Sequence, residues 1–186
     1  MESKKEIRKR ILECRDSLTM EERTRGDILI TERILGHQWF YRAEEILGFV
    51  NYGSEISTME LLEAALKRNQ KLYLPKICAD GDMRFYRVMK LEELQPGYRG
   101  IREPSGESEE YQYQENRAEN TLMLMPGVAF DIYRNRIGYG KGFYDRYLKD
   151  KTELQYRTIA IGYQCQMVEK IPEEECDIRP YQVICV

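Results

Sequence analysis

The chain has one histidine, His37, and five cysteines, at 14, 78, 165, 176 and 185, in 186 residues. No two cysteines form a C-x-x-C pair, so zinc-ribbon and thioredoxin-type readings have no support. An odd set of unpaired cysteines fits reduced thiols in the cytoplasm better than a disulfide framework. With a single histidine, a zinc site is not expected. No apolar run reaches the roughly 18 residues of a membrane span, and no charged-then-apolar leader opens the chain. Nor is there a dominant basic block. Lys and Arg number 29 against 32 Asp and Glu, and a net charge of −3 argues against general nucleic-acid binding. Repeats and low-complexity tracts are also missing. The expectation is one cytoplasmic domain over residues 1–186, monomeric, with no nucleic-acid or membrane partner.

Glycine, by contrast, is concentrated where it can do chemistry. Arg136 to Asp145 reads R-I-G-Y-G-K-G-F-Y-D, with glycines at 138, 140 and 142 around Tyr139 and Lys141. Residues without a Cβ open positive φ and let backbone N–H groups approach a bound group. Such donors form a concave anion site, to which Lys141 adds a full charge. Phe143 to Leu148 reads as a helix start, whose positive end also favours phosphate. The spacing matches neither standard phosphate loop: Gly142 stands where Walker A needs Ser or Thr, and Phe143 where the dinucleotide fingerprint needs glycine. A plain surface turn is the alternative, but it has no use for an embedded lysine and arginine.

Along the chain, Ser3-Lys4-Lys5-Glu6 is a capping box, followed by a helical stripe of Ile7, Ile11, Cys14 and Leu18. Lys4 and Arg8 lie one turn apart on that helix, which taken alone is an ordinary solvated face. Thr19 to Glu22 is a second capping box, for a helix expected to turn Ile28, Leu29, Ile34 and Leu35 inward. Ile46 to Val50 reads as a buried strand. A helix capped by Ser57-Thr58 runs to about Arg68, and Lys71 to Pro75 is the next strand. That is a βαβ unit, hence a parallel sheet with a right-handed crossover. Ligands collect beyond the carboxyl ends of such strands, which places Glu55 either as a binding carboxylate or as a plain loop residue. Met83 to Val88 is extended, Pro96 to Pro104 irregular, and Ser105 to Asn120 an exposed polar loop. Thr121 to Met125, Arg157 to Tyr163 and Val183 to Val186 are further strands. The fold class is α/β, Rossmann-like: a three-layer α/β/α domain with a mostly parallel sheet.

Two more carboxylates stand near the glycine loop in this reading. Asp145, three residues past Gly142, is either a magnesium ligand bridging loop-bound phosphates or a dipole-favoured first-turn residue. Asp177 is either a second ligand or a turn residue.

Leu124 to Leu148 (L-M-P-G-V-A-F-D-I-Y-R-N-R-I-G-Y-G-K-G-F-Y-D-R-Y-L) resembles the signature of the 5-formyltetrahydrofolate cyclo-ligase family. K-x-x-I-R at Lys4 to Arg8, G-S-E-I-S-T at Gly53 to Thr58, L-P-K-I at Leu74 to Ile77, G-I-R-E-P at Gly100 to Pro104 and the late C-D resemble it in the same order. The resemblance implies an enzyme that uses ATP and Mg²⁺ to close 5-formyltetrahydrofolate into 5,10-methenyltetrahydrofolate, with release of ADP and phosphate. By position it implies ATP contacts from Lys4, Arg8 and the loop Arg136, Ile137, Gly138, Tyr139, Gly140, Lys141, Gly142, Phe143 and Tyr144. Arg136 and Lys141 would be the catalytic cations, Asp145 and Asp177 the metal ligands, and Glu55 with Tyr144 the folate contacts. Two positions depart from the pattern: Cys176 stands where many members have His, and Phe143 where Tyr is frequent. The chemistry needs no protein nucleophile, because phosphorylating the formyl oxygen makes it a leaving group for attack by the substrate's own N10. A sugar-phosphate isomerase on a similar scaffold and a non-catalytic folate or nucleotide binder are the alternatives.

Overall fold

In the computed structural model, which describes residues 2–186, both capping boxes form. Ser3 Oγ accepts the Glu6 N–H at 3.3 Å and Glu6 Oε2 accepts the Ser3 N–H at 2.8 Å, opening α1 (Lys4–Asp16). Thr19 and Glu22 repeat the exchange for α2 (Met20–Leu35), and a short α3 (Gln38–Arg42) follows. Next come β1 (Glu45–Leu47), α4 (Met59–Lys67), β2 (Lys71–Ile77) and β3 (Met83–Val88). A small hairpin of β4 (Gln95–Pro96) and β5 (Arg102–Glu103) interrupts the stretch expected to be irregular. Then follow β6 (Thr121–Met125), β7 (Ala129–Asp131), β8 (Arg136–Ile137), α5 (Phe143–Leu148) and α6 (Thr152–Gln155). The chain ends with β9 (Thr158–Gly162), β10 (Met167–Val168) and β11 (Gln182–Cys185).

Six strands form the central sheet in the order β3-β2-β1-β6-β9-β11, all parallel except β3, which pairs antiparallel with β2. Alternation along the strands separates two cores. Ile46, Leu72, Leu122 and Ile159 face α2 and α4, where they meet Ile30, Ile34, Leu61 and Leu62. Leu47, Tyr73, Met123 and Ala160 face the other way, towards Leu148 of α5 and Leu154 of α6. Both faces are covered, which is why the central strands read as nearly continuous apolar runs. The fold is the three-layer α/β arrangement expected.

Sheet order is what locates the site. From β1 the chain crosses to β2 on one side, while from β6 it crosses to β9 on the other. Open α/β sheets bind ligands at such a reversal, outside the carboxyl ends of the strands. Helix α1 stands apart from the two main layers. Its Ile7 and Ile11 pack on Val128, Ala129, Ile137 and Ile171, over a small sheet of β10, β7 and β8. That packing holds α1 beside the glycine loop.

Several local expectations change. Cys14 is exposed, and Arg15 takes the buried place on α1. On α2, Ile30 and Thr31 are buried with Ile34, while Ile28, Leu29 and Leu35 are exposed. Gly26 sets this rotation, because a Cβ there would stand 2.6 Å from the Tyr163 ring. Thr58 occupies the N-cap of α4 without capping it; its hydroxyl donates to the Phe49 carbonyl at 2.6 Å and ties the helix to the end of β1.

Candidate active site

A cavity of about 840 Å³ opens at the reversal between β1 and β6. Phe49, Val50, Tyr52 and Glu55 reach it from the segment after β1, and Pro126 from the end of β6. Its other walls are Lys4 and Arg8 of α1, the glycine loop, the β4–β5 hairpin and residues 174–178. Every residue expected at the site therefore lines one cavity: Lys4, Arg8, Glu55, Arg136 to Tyr144, Asp145 and Asp177.

The loop is held by its two ends. At the β7–β8 turn the buried Asp131 carboxylate accepts N–H bonds from Tyr133, Asn135 and Ile171, each at 2.9 Å, which fixes where β8 starts. Beyond β8, Gly140 and Gly142 take φ of +91° and +63°, a region open to glycine and costly for other residues. Gly138 serves differently. A Cβ there would lie 3.1 Å from the Arg136 guanidinium, so the missing side chain lets that cation sit under the loop. Arg8 Nε donates to the Gly138 carbonyl at 2.8 Å, clamping the loop from α1. Helix α5 has only six residues, so its end adds little beyond the loop's own N–H groups.

Two of the site's cations, Lys4 and Arg136, are paired with carboxylates. Lys4 Nζ lies 2.6 Å from Asp177 Oδ2 and 3.2 Å from Glu174 Oε1. Burial works against its charge, but these bonds outweigh burial and raise its pKa. Arg136 Nη2 lies 2.9 Å from Asp145 Oδ1, which also accepts the Ile178 N–H at 3.2 Å. Arg136 Nε is buried, with no hydrogen-bond partner among the described residues. Lys141 is exposed, and among the described residues its ammonium has no ion pair. Glu174, Cys176 and Asp177 have ligand atoms within 4.8 Å of one another, and Asp145 stands outside that group.

Glu55 is buried, with 8% of its surface exposed. One carboxylate oxygen accepts the Tyr52 N–H at 2.8 Å, and burial pushes the pKa up against the pull of that bond and of Arg15. Burial likewise raises the phenol of Tyr144, so it stays a neutral donor beside the Arg136 guanidinium, 5.6 Å from its ring centre. Three further wall residues have no expectation attached to them individually. Tyr98 packs edge-on against Phe143 at 5.8 Å and joins the hairpin to the glycine loop; Arg99, at φ +55°, and Ile101 flank it. The only sequence signal for this wall is the G-I-R-E-P resemblance.

Comparison with known proteins agrees with this architecture. The profile of the 5-formyltetrahydrofolate cyclo-ligase family matches residues 1–186. The chain is 26% identical to the mouse 5-formyltetrahydrofolate cyclo-ligase over 98% of its own length and 93% of the relative's. It is 27% identical to the Haemophilus influenzae protein of that name, over 98% and 97%. Among solved structures, the 5,10-methenyltetrahydrofolate synthetase of Aquifex aeolicus superposes with a TM-score of 0.79 at 30% identity, over 95% of this chain and 86% of that one. A synthetase from Mycoplasma pneumoniae, at 23% identity and a TM-score of 0.74 over 97% of each chain, shares the fold. The chain belongs to the 5-formyltetrahydrofolate cyclo-ligase family.

Proposed function

We propose that this protein closes 5-formyltetrahydrofolate to 5,10-methenyltetrahydrofolate at the expense of ATP. The observation that carries the reading is one continuous cavity whose lining offers groups suited to two different ligands. Glycine-loop N–H groups with Lys4, Arg8 and Lys141 suit a polyphosphate. Buried Glu55 and the aromatic side chains of Tyr52 and Tyr144 suit a flat ring bearing N–H donors. About 840 Å³ is ample for both to meet.

In this reading the γ-phosphoryl group passes from ATP to the formyl oxygen of the substrate, and ADP leaves. The P–O bond to ADP breaks as the new P–O bond forms. The substrate's N10 then bonds to the activated formyl carbon, and the C–O bond breaks to release phosphate. The N10 proton leaves to an acceptor in the cavity. Arg136 and Lys141 stabilise charge on the transferring group, and the remaining catalytic power is alignment of the two substrates.

The donor set fits a magnesium ion. Asp145 Oδ2 and Asp177 Oδ1 make no hydrogen bond among the described residues, so each carboxylate has an oxygen to offer. Carboxylate oxygens completed by phosphate and water are the usual magnesium environment. Asp145 and Asp177 would hold the ion, with Glu174 beside Asp177, and it would neutralise phosphate charge. Cys176 is too soft a donor to add to such a site.

The deciding experiment is a spectroscopic assay with purified protein, ATP, Mg²⁺ and 5-formyltetrahydrofolate. The methenyl product absorbs in the near ultraviolet where the substrate does not. Absorbance that appears only with all components supports the reading. A folded sample that binds ATP without turnover is a non-catalytic binder, and turnover of a sugar phosphate without nucleotide marks the isomerase class.

A further inference from the structure

Arg15 is the most buried cationic side chain among the described residues, with 2% of its surface exposed, yet it lies outside the cavity wall. A guanidinium cannot shed its charge, so its burial needs a compensating use. Its Nε donates to Ser54 Oγ at 2.9 Å, and its Nη2 to Tyr139 Oη at 2.8 Å. The Ser54 hydroxyl in turn donates to Asp16, the next residue on α1. The guanidinium carbon also stands 5.9 Å from the centre of the Tyr139 ring. Among the described residues, Nη1 has no hydrogen-bond partner. Both hydrogen bonds that this side chain donates thus end on one of two segments. One is the loop after β1, which presents Glu55; the other is the glycine loop, through Tyr139.

The phenol of Tyr139 stands beside the Glu55 carboxylate, and its ring packs edge-on against Tyr52 at 6.1 Å. With its oxygen accepting from Arg15, Tyr139 has its own O–H free to point at the carboxylate. We propose that Arg15 is a positioning residue: it fixes the Tyr139 hydroxyl as a donor to Glu55 and so locks the folate-side carboxylate to the nucleotide-side loop. The inference rests on the function proposed above and adds a residue to it. Lys4, Arg8 and Arg15 then divide one helix between them, the first two facing the phosphate side and the third the carboxylate.

Other charged and titratable groups also face Glu55. Arg15 comes from α1, Tyr139 from the glycine loop and Tyr144 from α5, with Arg136 behind Tyr144, while Asp16 of α1 accepts from Ser54 next to Glu55 in the chain. Of these, Arg15 and Tyr139 favour the ionised carboxylate, against the burial that opposes it. Removing either one should move the acidic limb of kcat/KM for the folate towards higher pH. It should also raise the folate KM by roughly tenfold, the worth of one charge-assisted hydrogen bond, and leave the KM for ATP within about twofold.

The test is a double-mutant cycle of Arg15→Met and Tyr139→Phe, with Arg15→Lys as the conservative variant. Met removes the charge and the unpartnered Nη1 together. Phe keeps the ring packing, so the cycle has a folded arm even if Met is poorly tolerated. If Arg15 acts through the Tyr139 hydroxyl, the double variant is no worse than the poorer single one, and both singles shift the acidic limb alike. Additive losses, an unmoved acidic limb, or a rise in the ATP KM as large as that in the folate KM would overturn the proposal. Each would mark Arg15 as a packing residue of α1. Lysine, which lacks the fork needed to reach Ser54 and Tyr139 together, should rescue thermal stability but not the folate KM. Wild-type protein that never turns over 5-formyltetrahydrofolate defeats the proposed function instead, and full wild-type activity with an unaltered Arg15→Met enzyme defeats only this inference.

Discussion

Lys141 projects from the glycine loop without an ion pair, while its backbone carbonyl accepts a bond from Arg146 at 2.6 Å. The loop's conformation therefore depends on the main chain of this residue and not on its ammonium. Under the proposed reading, Lys141→Ala lowers kcat by about 10²-fold or more, the loss typical of one positioned transition-state partner, and leaves the melting temperature nearly unchanged. Steady-state kinetics beside a thermal melt check both halves. Glu55 is the opposite case, a residue whose charge costs the fold. Because burial raises its folded pKa, the favourable linkage is complete below the unfolded value and is lost as pH rises through the folded one. Glu55→Gln removes a buried charge while its side-chain oxygen still accepts the Tyr52 N–H. The variant should melt above wild type at about pH 8, lose that advantage near pH 4, and bind folate less well. A pH series of melts, with folate titrations, tests this. Under the proposed function, binding at that position comes at a cost in stability.

At the scale of elements, the glycine loop is held by a positive-φ backbone at Gly140 and by the Arg8 clamp on Gly138. A Cβ at Gly140 would meet the Arg8 guanidinium at 3.6 Å, an ordinary contact, so Gly140→Ala is opposed by backbone strain and not by a clash. The expected cost is about 1–2 kcal/mol. It is read as a fall in melting temperature, or as a raised ATP KM if the loop relaxes instead. Elements with local signals were open to sequence reasoning: the capping boxes of α1 and α2, the β1–α4–β2 unit and the glycine run. Rotation of α2 was not, because Ile28, Leu29 and Ile30 are consecutive and only the Tyr163 ring against Gly26 selects the buried one. Nor was the burial of Arg15, whose partners Ser54 and Tyr139 lie 39 and 124 positions away. A charged residue gives no local sign that it will be buried, and Cys14 next to it looks the better core candidate. The wall formed by Tyr98 and Arg99 sits on a hairpin of two-residue strands, too short to show a period.

Across the whole molecule, the site gathers α1, the segment after β1, the glycine loop and residues 174–178, which no single core cluster unites. A ligand touching all four should stabilise the fold by linkage, so ATP with Mg²⁺ should raise the melting temperature in proportion to the logarithm of its concentration. A chelator should abolish turnover yet leave the melting temperature of the ligand-free protein where it was. The proposed metal carboxylates line the cavity and belong to none of the apolar clusters. Calorimetry with and without chelator distinguishes a catalytic ion from a structural one. The pairing of Lys4 with Asp177 and of Arg136 with Asp145 carries a further consequence for how such a site fills. Two of its cations are satisfied beforehand, so an incoming polyphosphate first meets Lys141 and Arg8, which pair with no carboxylate among the described residues, and gains Lys4 and Arg136 only as those pairs open. A lysine that turns to a phosphate uncovers a carboxylate, and a carboxylate taken by a divalent ion sets a lysine free. Each ligand thereby prepares the place of the other, and the two affinities must rise together by the same factor, whichever arrives first.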